Sequence, residues 1–338
     1  MNQIFSRMEK LPSSSFSSVM GIGIVSDALL QLHLYLLSEI LEYSCLAVYI
    51  GLVSVFLIMK TAGWKKSKQH SFNTPSVLGS FTFVAGSAVL FTRMSESGYI
   101  FVDIPAIVLT LVFTVALGFI LFRSAGMGAL NDVKKPYLFL VPFIAMLGIS
   151  VLSSQAYSKL NIGYPYLFPL SSAAWILGFA GTIVFIIYTL VKFKVGFLNS
   201  MNLNGFYFIY SGIASLAAFS AILIMAVYNV ESTLIEILFR YILIILFVWA
   251  ISFSVLLFYL YFIKFVKGQV EFRHRVSFWG AVFPMGVDSM GSFFISAYFH
   301  MGFLIYLAYF YAFIGLFLII IALVEILASI VLPGNRYS

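Results

Sequence analysis

Residues 305–332 read IYLAYFYAFIGLFLIIIALVEILASIVL, and this stretch decides the fold class. Its single charged residue is Glu325, and it is apolar on every side of a helix and on both faces of a strand. About 20 such residues cross the ~30 Å hydrocarbon core of a bilayer as an α-helix. A transmembrane barrel strand would alternate apolar and polar residues over about ten positions. We therefore predict an all-α integral membrane protein.

The rest of the chain has the same character. Of its 338 residues 62% are hydrophobic and 9% are charged, which is too little polar surface for a soluble globule of this size. Hydropathy and breaker residues predict about ten membrane spans, which make up a single transmembrane domain over residues 1–338. Their approximate bounds are 13–34, 37–59, 74–92, 102–122, 136–155, 165–191, 203–228, 233–263, 276–298 and 301–331.

The basic residues predict the orientation. With both termini in the cytoplasm, all but three of the 19 Lys and Arg residues fall on cytoplasmic segments, as the positive-inside rule requires. Arg93 and Lys159 fall on the outer side, and Arg240 lies within the eighth span, where Glu236 one turn away predicts a surface ion pair. We expect a multi-pass protein of the cell membrane. The net charge of +7 indicates contact with anionic lipid headgroups and no nucleic-acid partner.

Odd and even spans differ in their small residues. Gly, Ser and Thr account for 32 of 110 residues in the odd spans and 19 of 133 in the even ones. Small residues let helices approach closely, whereas long apolar side chains suit contact with lipid. This parity predicts five helical hairpins, with the five odd helices around a central pore and the even helices outside. The alternative is that the small residues serve helix packing alone.

Three segments on odd spans carry a resemblance to a known family. They are FSSVMGIG at Phe16–Gly23, PYLFLVPFIA at Pro136–Ala145 and WGAVFPMG at Trp279–Gly286, and the first and third also resemble each other. In order and position they are similar to motifs of the tellurite-resistance/dicarboxylate transporter family. That family includes bacterial tellurite-resistance proteins, malate permeases and plant slow anion channels.

The resemblance implies a quasi-fivefold ring of hairpins, a homo-oligomer that is commonly a trimer, and a phenylalanine that plugs the pore from the ninth helix. The matching phenylalanine is Phe283. An apolar constriction can block ions by dewetting, and one rotamer change can relieve it. The further pore-lining candidates, from the motifs and their proline breaks, are Met20, Gly21, Pro142, Phe143 and Pro284.

Two acids lie near the middle of odd spans. An ionised carboxylate there costs at least ~2.5–3.5 kcal/mol, so Asp27 and Asp288 are candidates for a function by default. Beside an anion path, either could carry a proton. The other interpretation is a carboxyl group that is hydrogen-bonded to water or to a neighbouring serine, such as Ser26 or Ser289.

The leading functional hypothesis is transport of small anions, either inorganic anions, monocarboxylates or C4-dicarboxylates, through a pore gated by Phe283. A proton-coupled C4-dicarboxylate (malate) carrier using an intramembrane Asp is the second hypothesis. An intramembrane lipid-modifying enzyme is the third, and the dispersed acids and histidines disfavour it. No catalytic residue is expected. We also expect no metal and no cofactor, because Cys45 is the only cysteine and no Cys/His cluster has ligand spacing.

Overall fold

The computed structural model describes residues 13–61, 74–126, 136–160, 165–193, 205–228, 233–266 and 275–331. These residues form ten α-helices and no strand, so the predicted all-α class is confirmed. Each predicted span overlaps one helix. The helices are α1 (Ser17–Gln31), α2 (Tyr35–Thr61), α3 (Thr74–Glu96), α4 (Asp103–Gly126), α5 (Val141–Leu160), α6 (Leu167–Phe193), α7 (Ile209–Tyr228), α8 (Thr233–Val266), α9 (Arg275–Phe299) and α10 (Leu304–Val331).

Most of the basic residues that predict the orientation lie outside the described residues. Among them are Arg7, Lys10, Lys65, Lys66, Lys68, Lys134, Lys135, Lys194, Lys267, Arg273 and Arg336. The cytoplasmic position of the termini therefore stays a prediction.

Eight of the described helices are long and apolar enough to cross a membrane, namely α2 to α8 and α10. The other two are the inner helices α1 and α9. Only 15 residues form α1, although a 3-10 turn at Ser13–Phe16 extends it, and α9 contains Pro284. Both are surrounded mainly by other helices, so their outer surface need not be lipophilic.

Burial follows the parity of the helices. In the membrane-spanning parts of α3, α5 and α7, 72% to 94% of the residues are buried inside the protein, against 17% to 39% in the five even helices. Leu, Ile, Val and Phe side chains cover the exposed faces of the even helices. This difference is what the distribution of small residues predicts, with odd helices inside and even helices facing lipid.

The odd helices close a ring. Helix α1 packs against α3 and α9, and α5 and α7 complete the circle through contacts of α3 with α5, α5 with α7 and α7 with α9. Each even helix packs mainly against the odd helix that precedes it and also touches the next odd helix around the ring. Close contacts of Gly86 with Val19 and of Gly23 with Val89 show that α1 and α3 run in the same direction. The arrangement matches the predicted ring of five hairpins.

Three hairpins turn through the same helix C-cap. Each has one residue with φ between 56° and 96°, and these residues are His33 after α1, Gly98 after α3 and His300 after α9. The backbone N–H of the next residue donates to a carbonyl five positions earlier, which is the Schellman motif. Phe16 and Phe283 lie the same number of residues before the cap residues His33 and His300, so these two phenylalanines correspond in the structure. The sequence repeat instead pairs Phe283 with Met20, which lies one turn after Phe16.

Gly212 on α7 allows the close contact with α9. A Cβ at this position would lie 2.9 Å from the Cα of Pro284, a backbone atom that cannot rotate away. We expect Gly212→Ala to lower the free energy of unfolding by about 1–3 kcal/mol, as overpacking does. Equilibrium unfolding in mixed micelles would measure this difference.

The matched control is Gly118→Ala on α4, where a Cβ meets no atom within 4 Å. Alanine is the better helix former, so this variant should be unchanged or more stable by up to about 1 kcal/mol. Equal behaviour of the two variants would contradict the tight contact between α7 and α9.

A candidate anion pathway

A central cavity lies inside the ring, and all five odd helices line it. Its free volume is about 20 Å³, which is room for roughly one water molecule. On α9 the lining runs from Phe283 to Phe294, and on α3 from Ala85 to Glu96. Each of these intervals corresponds to about 16 Å along a helix at ~1.5 Å per residue. The cavity therefore extends through a large part of a bilayer's thickness.

The two ends of the cavity differ chemically. Phe283 is buried, and the lining residue nearest the N-terminal end of each odd helix is apolar, namely Ile24, Ala85, Ile144, Leu216 and Phe283. The polar residues that line the cavity are Asp27, Thr92, Glu96 and Gln155, and they lie towards the C-terminal ends of the odd helices. An ion in this cavity would meet an apolar constriction at one end and polar or charged groups at the other.

Two of the predicted pore-lining residues lie in helix contacts. A Cβ on Gly21 would be 2.8 Å from Cγ1 of Val282, so this glycine faces α9. Pro284 packs on Gly212 of α7. Because these residues join neighbouring helices of the ring, their contacts are explained by packing, and their place on the pore wall stays a prediction.

The candidates on α5 are placed differently from what their proline break suggests. Helix α5 begins at Val141, so Pro142 lies in its first turn, where no intrahelical hydrogen bond is lost. The predicted proline break therefore coincides with the junction between a 3-10 turn at Pro136–Leu140 and the helix. The ring of Phe143 packs against Gly181 of α6. Met20 is buried in the hydrophobic core, and the pore roles of these three residues stay predictions.

Arg93 is fully buried, 1% exposed, in the last turn of α3. The sequence predicts that it lies on the outer side, beyond the third span. In the structure α3 continues past it because its charge is compensated: Nη2 lies 2.9 Å from Oε2 of Glu42 on α2. Nε lies 3.8 Å from Oδ1 of Asp27 on α1. Arg93 therefore ties together the first three helices.

Serine hydroxyls complete the shell of Arg93. Its Nε donates to Oγ of Ser26 at 2.9 Å, Nη2 donates to Oγ of Ser38 at 2.9 Å, and Nη1 donates to Oγ of Ser97 at 2.6 Å. Such bonds are needed because a buried charge is costly unless it is paired and hydrogen-bonded. Ser26, predicted as a partner of Asp27, therefore bonds to Arg93 instead.

Asp288 is buried on the side of α9 that faces α7 and α8. Its Oδ1 accepts from Ser215 at 2.5 Å, and its Oδ2 accepts from Ser211 at 3.1 Å and from Ser254 at 2.6 Å. The neighbouring Ser289, predicted as a partner, donates to the carbonyl of Ala308 instead, because adjacent helix positions point about 100° apart. Asp288 is thus a hydrogen-bonded junction of three helices, away from the residues that line the cavity.

The remaining charged pair behaves as predicted. Arg240 Nη2 lies 2.6 Å from Oε1 of Glu236 in an i,i+4 ion pair, and the arginine side chain is half exposed. Within the described residues no group of three or more His, Cys, Asp or Glu side chains could hold a metal ion. The cavity and the Arg93 network are therefore the sites with chemical interest.

Comparison with known proteins gives the family. The model of the SLAC1 family, described as a voltage-dependent anion channel, matches residues 10–327. The chain belongs to the SLAC1 family. This is the tellurite-resistance/dicarboxylate transporter family that the three motifs resemble, so that resemblance is confirmed. No curated protein matches the chain.

Membership of the SLAC1 family and the ring of apolar helices identify a multi-pass membrane protein that transports anions. All five inner helices line the central cavity. It is therefore the candidate path for the anion.

The junction at Asp288 can be tested by stability. In Asp288→Ala three serine hydroxyls lose their acceptor, and we expect the free energy of unfolding to fall by about 3 kcal/mol, the value for hydrogen bonds to a charged group. Ser289→Ala on the same helix removes one neutral bond and should cost about 1 kcal/mol. Unfolding in mixed micelles would measure both, and equal losses would contradict the junction.

Proposed function

We propose that this protein conducts small anions through the central cavity and that Phe283 is the gate. The observation that carries the proposal is the place of Phe283, at the apolar end of a cavity lined by every inner helix. The SLAC1 family match supports an anion as the transported species.

A phenyl ring at this position suits a gate. An apolar constriction excludes hydrated ions by dewetting, and a change of one side-chain rotamer can reopen it. Small residues line the same cavity, including Ala85, Ala88 and Gly148. In the proposed open state the ring of Phe283 turns towards these small residues.

The proposed setting is the cell membrane with both termini in the cytoplasm. In that orientation the odd helices begin at the cytoplasmic side, and Phe283 lies about two turns inside α9. The apolar faces of the even helices would contact lipid and further copies of the chain, in a homo-oligomer that the family resemblance implies is a trimer.

Removal of the ring tests the gate. We expect Phe283→Ala to raise nitrate and chloride flux into proteoliposomes at least about tenfold, because the dewetted constriction is widened. The matched control is Phe317→Ala on α10, a side chain that is 61% exposed on the outer face. It should leave the flux unchanged.

The two variants separate the possible outcomes clearly. Equal flux through wild type and Phe283→Ala, with measurable transport in both, would overturn the gate but keep the pathway. A similar rise in Phe317→Ala would show that the effect is a general loosening of the fold.

A second candidate function is a proton-coupled C4-dicarboxylate carrier. It is favoured by Asp27, which lines the cavity and whose Oδ1 accepts no hydrogen bond from a described residue. A protonated Asp27 would tolerate a passing carboxylate. Asp288 is less suited to this role, because three serines occupy its carboxylate oxygens.

The carrier is tested by uptake of labelled malate with and without an inward proton gradient. In a carrier, Asp27→Asn should abolish the stimulation by the gradient, whereas Asp288→Asn should retain it. Gradient-independent uptake by wild type would exclude the carrier and leave the channel.

A further inference from the structure

Helix α9 has a weak point next to the proposed gate. Pro284 lies inside the helix and has no N–H group, so the helical hydrogen bond to the carbonyl of Gly280 is missing. Helices bend most readily at such a position. Phe283 immediately precedes this proline, and its side chain lines the central cavity. The direction of the ring therefore depends on what holds the helix beside the break.

One face of α9 carries the residues that line the cavity. They are Phe283, Met290 and Phe294, and spacings of seven and four residues place them on the same side of a helix. Asp288 follows Phe283 by five positions, which corresponds to ~140° around the helix axis. Its carboxyl group therefore points away from the cavity when the ring of Phe283 points into it.

The opposite face of α9 is held by hydrogen bonds to two other helices. The carboxyl oxygens of Asp288 accept from Ser211 and Ser215 on α7 at 3.1 Å and 2.5 Å, and from Ser254 on α8 at 2.6 Å. Oγ of Ser254 also lies 2.8 Å from Oγ of Ser211. All four side chains are buried. Hydrogen bonds are directional, so the complete set forms in only one rotational setting of α9.

The same stretch of α7 also holds the proline. Pro284 and Asp288 are four positions apart and so lie on one face of α9, one turn from each other. A Cβ on Gly212 of α7 would lie 2.9 Å from the Cα of Pro284. Apolar contact of this kind brings the helices together but is not directional. The hydrogen bonds of Asp288 supply the direction that the proline contact lacks.

We propose that Asp288 is a positioning residue for the gate, because its bonds to α7 and α8 fix the rotation of α9 that aims Phe283 into the cavity. The inference rests on the proposed gate and adds the group that holds it closed. Each bond stabilises this setting alone, so loss of a bond favours settings in which the ring leaves the constriction. Neither Asp288 nor Ser254 lines the cavity, so their substitution leaves the wall of the pathway intact.

The test measures nitrate flux into proteoliposomes for each variant in two backgrounds, with Phe283 present and with Phe283→Ala. With the ring present we expect Ser254→Ala to raise the flux about fivefold, the factor by which loss of one hydrogen bond typically shifts an equilibrium. Asp288→Ala removes three bonds and should raise the flux further. Asp288→Asn should restore most of the wild-type behaviour, because the amide keeps an acceptor oxygen and can donate to a serine oxygen.

In the Phe283→Ala background the same variants should leave the flux unchanged, because no ring remains to be positioned. The matched control is Ser220→Ala, a buried serine of α7 whose hydroxyl donates to carbonyls of its own helix. It should change the flux in neither background. If Asp288→Ala does not fold, Ser254→Ala decides the outcome, since it keeps two of the three bonds.

The two backgrounds separate the outcomes. An equal rise with and without the ring would show a leak that does not involve the gate, and would overturn the positioning role. Unchanged flux with the ring present, or an equal fall in both backgrounds, would show that the serines serve stability alone and would overturn it too. Those results keep the gate as long as Phe283→Ala itself raises the flux. No rise in Phe283→Ala would overturn the gate, and the positioning role with it.

Discussion

The contact between α1 and α9 closes the ring, and the rest of the structure depends on it. A Cβ on Gly286 would lie 3.0 Å from the backbone nitrogen of Val25, so the two helix backbones approach as closely as a missing side chain allows. Lipid provides no hydrophobic drive for helix association, and close packing of small residues has to supply the attraction. The first and ninth helices meet in this way although some 260 residues separate them, and their contact defines the central cavity.

Polar and charged groups buried inside the ring need hydrogen-bonding or ionic partners. In the ring, charged residues are buried only where other helices supply partners, as for Arg93 with Glu42 and for Asp288 with its serines. Removing one partner of such a pair typically costs 3–5 kcal/mol, so these groups fix the register of neighbouring hairpins. Of the buried side-chain atoms that form no hydrogen bond within the described residues, those of Asp27, Thr92 and Glu96 belong to residues that line the cavity. The same residue types thus serve assembly on one side of a helix and the pathway on the other.

The sequence predicted the helices and their inner and outer positions, because apolar length and small-residue content are local properties. It also directed attention to Phe283 through a motif, and this residue lines the cavity. The network of Arg93 was not predicted, since the hydropathy of the third span ends at residue 92 and the compensating Glu42 comes from another helix. One signal was present: Arg93 is an exception to the positive-inside pattern, and Glu42 is an acid within a predicted span. The serines around Asp288 lie 34 to 77 positions away, and no local periodicity indicates which of them face it.

In the proposed channel the two ends of the cavity have different roles. An apolar constriction at Phe283 would control whether water and ions pass, but it would not distinguish one anion from another by charge. The polar side chains that line the cavity, those of Asp27, Thr92, Glu96 and Gln155, lie at its opposite end, and Arg93 lies beside them, 3.8 Å from Oδ1 of Asp27. A single buried arginine without the acids would hold an anion tightly and slow its exit. Arg93 is instead paired with Glu42, and fast conduction requires weak binding of the ion.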